Sequence, residues 1–159
     1  MIAAASPSEL VGLVGSRATG DWFDIDQDRI DAFARVTEDL QLIHVDRDRA
    51  ADGPYGTTIA HGMLTLSLLP PLLAQLIDVH DIDAVVNYGL DAVRFISAVP
   101  SGSRIRARTE LVAAELSPRG IRATLRTTVE LEGSVRPALV AETIHLFVSA
   151  AERNDNVQP

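Results

Sequence analysis

The sequence predicts an α+β fold, an antiparallel sheet laid against a buried helix, on the strength of two contrasting stretches. From Ile59 to Ile77 the chain is apolar almost without interruption, and a segment apolar on nearly all sides is a helix buried on all sides. Beyond it the pattern changes to alternation: Arg104–Leu116, Ile121–Leu131 and Ala138–Val148 read as three strands. The turn signals Ser117-Pro118-Arg119-Gly120 and Gly133-Ser134 join them into an antiparallel meander. A chain of 159 residues suits one domain with a substantial core. We place that domain at residues 1–151, with the polar, aperiodic Glu152–Pro159 as a disordered tail.

Taken in order, Leu10-Val11 and Leu13-Val14 make a short apolar patch suited to a small helix, and Trp22–Ile25 reads as a brief strand. Asp26 is placed to cap a helix that buries Ile30, Phe33 and Ala34 at helical spacing. That helix delivers the chain to a loop, Thr37–His44. Asp46 can cap a second short helix through Ala51, ended by Gly53 and Pro54. The long apolar run follows, and Pro70 and Pro71, which lack the N–H of the helical ladder, should kink or interrupt it near Leu69. Ala84–Gly89 and Ala92–Ile96 read as two short strands separated by Leu90 and Asp91. In Ile121–Leu131 the residues Ile121, Ala123, Leu125, Val129 and Leu131 share one face. In Arg104–Leu116 the apolar phase changes near Glu110 and Leu111, which predicts a bulge.

Composition narrows the function. The net charge of −8 opposes sequence-independent binding to nucleic acid, whose affinity comes from neutralising phosphates. Polar residues and prolines inside Ile59–Ile77 argue against a membrane span. With no cysteine, thiol catalysis and thiolate metal sites are excluded, and the start of the chain lacks the basic residues of a secretory signal; a cytoplasmic location is expected. All 14 basic residues are arginine. Arg104, Arg106 and Arg108 lie on one strand face, which reads as a solvated surface in preference to a phosphate contact.

Chemistry concentrates between Thr37 and Ile77. Asp39 and His44 offer two proton-transfer groups five residues apart, and His61-Gly62 opens the apolar helix. The residues alone leave plainer readings open: His44 as a core histidine satisfied by a carbonyl, Asp39 as a loop residue, His61 as a ring fixing the approach to the helix. Ser67 lacks the Gly-x-Ser-x-Gly surroundings of a nucleophile, and no spacing among the histidines matches a metal site.

An acid, then a histidine after four intervening residues, then His-Gly-Met-Leu with a serine six residues beyond that histidine is the pattern of Asp39, His44, His61-Gly62-Met63-Leu64 and Ser67. In this the chain resembles the MaoC-like dehydratases and (R)-specific enoyl-CoA hydratases, and most closely their NodN-like branch, over roughly Trp22 to Val148. It departs from many hydratases in having Gln41 and Leu42 where they carry Asn-Pro. The resemblance implies a hot-dog fold, a curved antiparallel sheet wrapped around a long central helix, assembled as a homodimer. It implies reversible syn addition of water to trans-2-enoyl-CoA, giving (R)-3-hydroxyacyl-CoA, with no cofactor and no metal. In that reading Asp39 and His44 are catalytic and Gly62 receives the thioester oxygen. Ser67, Gln41, Asn87 and Tyr88 contact the substrate, a coenzyme A or acyl carrier protein thioester. A hot-dog thioesterase and a non-catalytic acyl-binding subunit of a heterodimer are the alternatives.

Overall fold

In the computed structural model, which describes residues 1–149, β1 (Ile2–Ala4) leads through a 3-10 segment (Pro7–Leu13) to β2 (Arg17–Thr19) and β3 (Phe23–Ile25). Five helices follow: α1 (Gln27–Thr37), α2 (Leu42–Val45), α3 (Arg47–Ala51), α4 (Gly62–Ser67) and α5 (Leu69–Ala74). β4 (Ile77–Val79) then leads into the long strands β5 (Ile82–Phe95), β6 (Ser103–Ser117), β7 (Gly120–Leu131) and β8 (Leu139–Ser149). The expected tail lies outside the described residues.

The main sheet runs β2-β6-β7-β8-β5, with β3 pairing further along β6, and every pairing in it is antiparallel. β1 and β4 form a separate parallel pair that the N-terminal residues did not foretell. One face of the sheet supplies Ile105, Ala107, Leu111, Ala123, Leu125, Val129 and Phe147 to the core, against Leu69, Leu72, Leu73 and Leu76. The alternation in β7 is as predicted, with buried Thr127 completing the inner row and its hydroxyl paired to Thr109 at 2.9 Å. On the outer face Arg106 reaches Glu130 at 2.7 Å, and Arg104 forms a two-pronged pair with Glu132. Arg108 shares Glu130 at 3.7 Å, so the arginine row is an ion-paired, solvated surface.

Several expectations need correction in detail. The apolar run folds as two six-residue helices joined at Leu68, which keeps a right-handed backbone. Pro70 and Pro71 cannot donate to the Leu66 and Ser67 carbonyls, so the ladder breaks where the prolines were expected to break it. Ala84–Gly89 and Ala92–Ile96 are not two strands but one of 14 residues. Its irregularities at Asn87/Gly89 and Leu90/Ala92 are bulges absorbed by pairing with β8. The bulge predicted in β6 falls between Leu111 and Ala113. Asp26 and Asp46 cap α1 and α3 by accepting from the Arg29 and Arg49 main-chain N–H groups at 2.8 and 3.0 Å. Gly53 does not take the left-handed position after α3; that conformation occurs at Gly56, φ +68. At Gly120 (φ +129) a Cβ would lie 2.1 Å from the Phe147 carbonyl oxygen, so the β6–β7 turn admits only glycine.

Candidate active site

Two segments converge on the site. After α1, Glu38 adopts a left-handed backbone (φ 61) that turns the chain and leaves Asp39 half-buried. The predicted loop then tightens into the four-residue helix α2, which carries His44 into the interior at 6% exposure. The second segment, Thr58–Ala60, is pinned on both sides: Ile59 N–H donates to Ile43 and Ala60 N–H to Val99, at 2.9 and 2.8 Å. This clamp aims the Ile59 carbonyl at His44, whose Nδ1 lies 2.7 Å away. A carbonyl only accepts, so Nδ1 carries the proton and the neutral ring presents Nε2 as a base. Gln27, buried at the start of α1, donates to the His44 main-chain carbonyl at 2.7 Å and accepts from Thr58. It ties α1, α2 and the clamp together, yet nothing in the sequence marks it, because a glutamine at a helix start is ordinarily a surface residue.

His61 completes the cluster. Its Nε2 donates to the main-chain carbonyl of Asp39 at 2.9 Å, and its ring stacks on that of His44, centroids 3.7 Å apart and planes 28° from parallel. One ligating atom from each of Asp39, His44 and His61 falls within 4.8 Å of the others. Near-parallel rings send their in-plane lone pairs side by side, whereas a shared cation needs them to converge. The arrangement is better suited to proton transfer.

His44 opens on a cavity of about 290 Å³ whose wall includes Tyr55, Ile59, Gly62, Thr65, Phe95 and Ala138. Gly62 begins α4, and a Cβ there would sit 2.9 Å from the Phe95 ring. The sequence-derived candidates thus divide. Asp39, His44 and Gly62 gather at one end of the fold, with His61 beside them. Ser67 and Asn87 border a different cleft of about 320 Å³ between the helices and β5 and β8, which Thr143 and His145 also line. The Ser67 hydroxyl donates back to the Met63 carbonyl at 2.7 Å. Gln41 sits exposed before α2, and Tyr88 projects from β5 with 61% exposure.

Burial pushes the His44 pKa below its usual 6.5; the Ile59 hydrogen bond offsets part of this, His61 adds to it and Asp39 opposes it. Burial also lowers His145, which bonds Thr143 at 2.9 Å. Both imidazoles are therefore neutral at pH 7. Below pH 6.5 an unfolded chain binds protons that the fold refuses, so the stability these groups contribute is complete above that pH and is lost as pH falls through their folded values. The melting temperature is expected to fall between pH 7 and pH 5, and to fall less in His145→Gln; equal slopes in the two proteins would contradict this.

An antiparallel sheet packed on a central helical segment, with an acid and an imidazole at the helix's N-terminal end, defines a hot-dog protein. The chain belongs to the MaoC-like domain family: that family's sequence model matches residues 13–133. It is 49% identical over 147 residues to 3-hydroxyacyl-thioester dehydratase Z of Mycobacterium tuberculosis, covering 92% of this chain and 93% of the relative. It is 46% identical over 132 residues to nodulation protein N of Rhizobium leguminosarum bv. viciae, covering 80% and 81%. Among solved structures, the (R)-hydratase from A. caviae involved in PHA biosynthesis superposes with a TM-score of 0.70 at 26% identity, over 84% of this chain and 96% of that one. Among the described residues, no helix is long and apolar enough to cross a membrane.

Proposed function

We propose that this protein is a hydro-lyase of acyl thioesters, an (R)-specific enoyl-CoA hydratase whose reverse reaction dehydrates 3-hydroxyacyl thioesters. The observation that carries the reading is His44. Its Nδ1 proton is committed to a carbonyl, and Nε2 is left basic beside Asp39, on a cavity that also contains Gly62. Hydration needs a base for water, a proton for the α-carbon and a donor for the enolate oxygen. Asp39 and His44 hold the water. As its oxygen bonds to the β-carbon, one proton passes to the pair, the π electrons move toward the thioester oxygen near the Gly62 N–H, and the pair returns a proton to the α-carbon. The atoms of one water are added and nothing is oxidised. Delivery of both from one side makes the addition syn. The names of the mycobacterial relative and of the (R)-hydratase support this chemistry.

In this reading Gln41 shapes the loop over the substrate, and Ser67 and Asn87 meet the acyl chain in the second cleft. Tyr88 adjoins it from β5. A homodimer is part of the proposal. β5 is an edge strand of 14 residues, paired only with β8 among the described residues, and it exposes Val85, Val86, Tyr88, Leu90 and Phe95. Long apolar edges are ordinarily covered, and a second copy would do so. Sedimentation is expected to give twice the 17.1 kDa chain mass; a monomer at working concentration would rule the dimer out. A cytoplasmic site of action accords with a thioester substrate and a chain free of cysteine.

The direct assay follows the conjugated absorbance of trans-2-enoyl-CoA, with free thiol measured in the same samples. Loss of absorbance without thiol is expected. Thiol release from a saturated acyl-CoA would instead reveal a thioesterase, and inactivity on short and long enoyl-CoA would point to a binding subunit.

A further inference from the structure

We propose that His61 is a positioning residue for the Asp39/His44 pair, one that holds Asp39 through a hydrogen bond and fixes the plane of His44 through its ring. The inference rests on the hydratase reading for what the pair does, but its geometry stands apart from it. Among the described residues, no hydrogen bond or ion pair holds the Asp39 carboxylate. What fixes the residue is its main chain: the left-handed turn at Glu38 on one side and the His61 Nε2–H at 2.9 Å on the other. The same imidazole lies flat on His44 at 3.7 Å, with Phe33 against it at 5.1 Å, so the His44 ring rests on a packed wall. Only a flat ring with a donor at its far end can do both. Phenylalanine would stack without donating, and glutamine would donate without stacking.

The remaining atom of His61 points the same way. Nδ1 is buried with no hydrogen-bond partner, and a lone pair left unsatisfied costs free energy that an apolar ring would not. Packing alone therefore does not account for a histidine here; the donation to Asp39 does. The ionisable groups bearing on His44 are Asp39 from the turn after α1 and His61 from the start of α4. Asp31 of α1 is linked to it only through Gln27. Ile96 to Val99, on the far wall of the cavity, contribute none.

The test compares His61→Phe and His61→Gln with the wild type, by steady-state kinetics on a short enoyl-CoA across pH and by nitrogen NMR titration of His44. His61→Phe removes the anchor of Asp39, and kcat is expected to fall about threefold to tenfold, the net worth of one partly buried hydrogen bond. His61→Gln restores the donor and should recover much of that loss. With the neighbouring ring gone, however, His44 should titrate at higher pH and the acid limb of kcat/KM should move with it. Two folded variants with wild-type kcat and an unchanged His44 titration would overturn the proposal. Should neither variant fold, the wild-type spectrum decides. His61 is expected as the Nε2–H tautomer with a slowly exchanging proton, and the Nδ1–H tautomer or rapid exchange overturns it. A wild type that hydrates no enoyl thioester removes the reaction, while the NMR measurements still judge His61.

Discussion

Asp39→Asn is expected to lower kcat for hydration of a short trans-2-enoyl-CoA by about 10²–10⁴-fold, the range for a positioned acid–base group, with little change in melting temperature. The stability half of this expectation follows from the structure. Asp39 is half-buried, and its anchor to His61 is a main-chain carbonyl that asparagine retains. The substitution removes the charge and the proton-accepting oxygen while leaving the side-chain shape. His44→Ala should be as inactive but is a less clean experiment. It orphans the Ile59 carbonyl, which costs about 1–3 kcal/mol, and opens a hole in a buried site, which adds the cost of lost packing. Retention of full turnover by folded Asp39→Asn would remove Asp39 from the mechanism.

Gly62→Ala is expected to reduce kcat by about 10²–10³-fold, the measured scale for losing one oxyanion donor in other enzymes. Two physical reasons for a glycine compete at this position. A Cβ would crowd the path of a thioester oxygen toward the main-chain N–H, and it would also press to 2.9 Å on the Phe95 ring. The second contact is with a single side chain that is 51% exposed in the isolated chain, so its contribution can be removed by truncating Phe95. The double variant Gly62→Ala/Phe95→Ala separates them. If the glycine serves the thioester, removing the ring leaves the enzyme inactive. If the glycine only accommodates Phe95, the double variant recovers the activity of Phe95→Ala alone, and the oxyanion role is excluded.

Much of the fold was legible in the sequence because its signals are local. The alternation of β7, the phase change in β6, the aspartate caps and the paired prolines each act through a residue's immediate neighbours, and the structure shows them where they were read. β5 was misread as two strands because a bulge and a break look alike in one dimension; the uninterrupted partner β8 distinguishes them. α2 was missed because four residues carry no measurable periodicity, and β1 and β4 because each is only three residues whose partner is some 75 positions away.

The candidate site divides in the same way. By itself the sequence singled out Asp39, His44 and the His61-Gly62 pair as candidates, since their spacing is a property of short segments. Tertiary structure alone decided which nitrogen of His44 is basic, because the Ile59 carbonyl that takes the other proton lies 15 residues away. It also placed Gln27 beneath the site, stacked His61 on His44, and set Ser67 and Asn87 in a separate cleft. Hydrogen bonds and ring contacts between distant segments depend on where the sheet and helices bring the chain together, and no local pattern encodes that meeting.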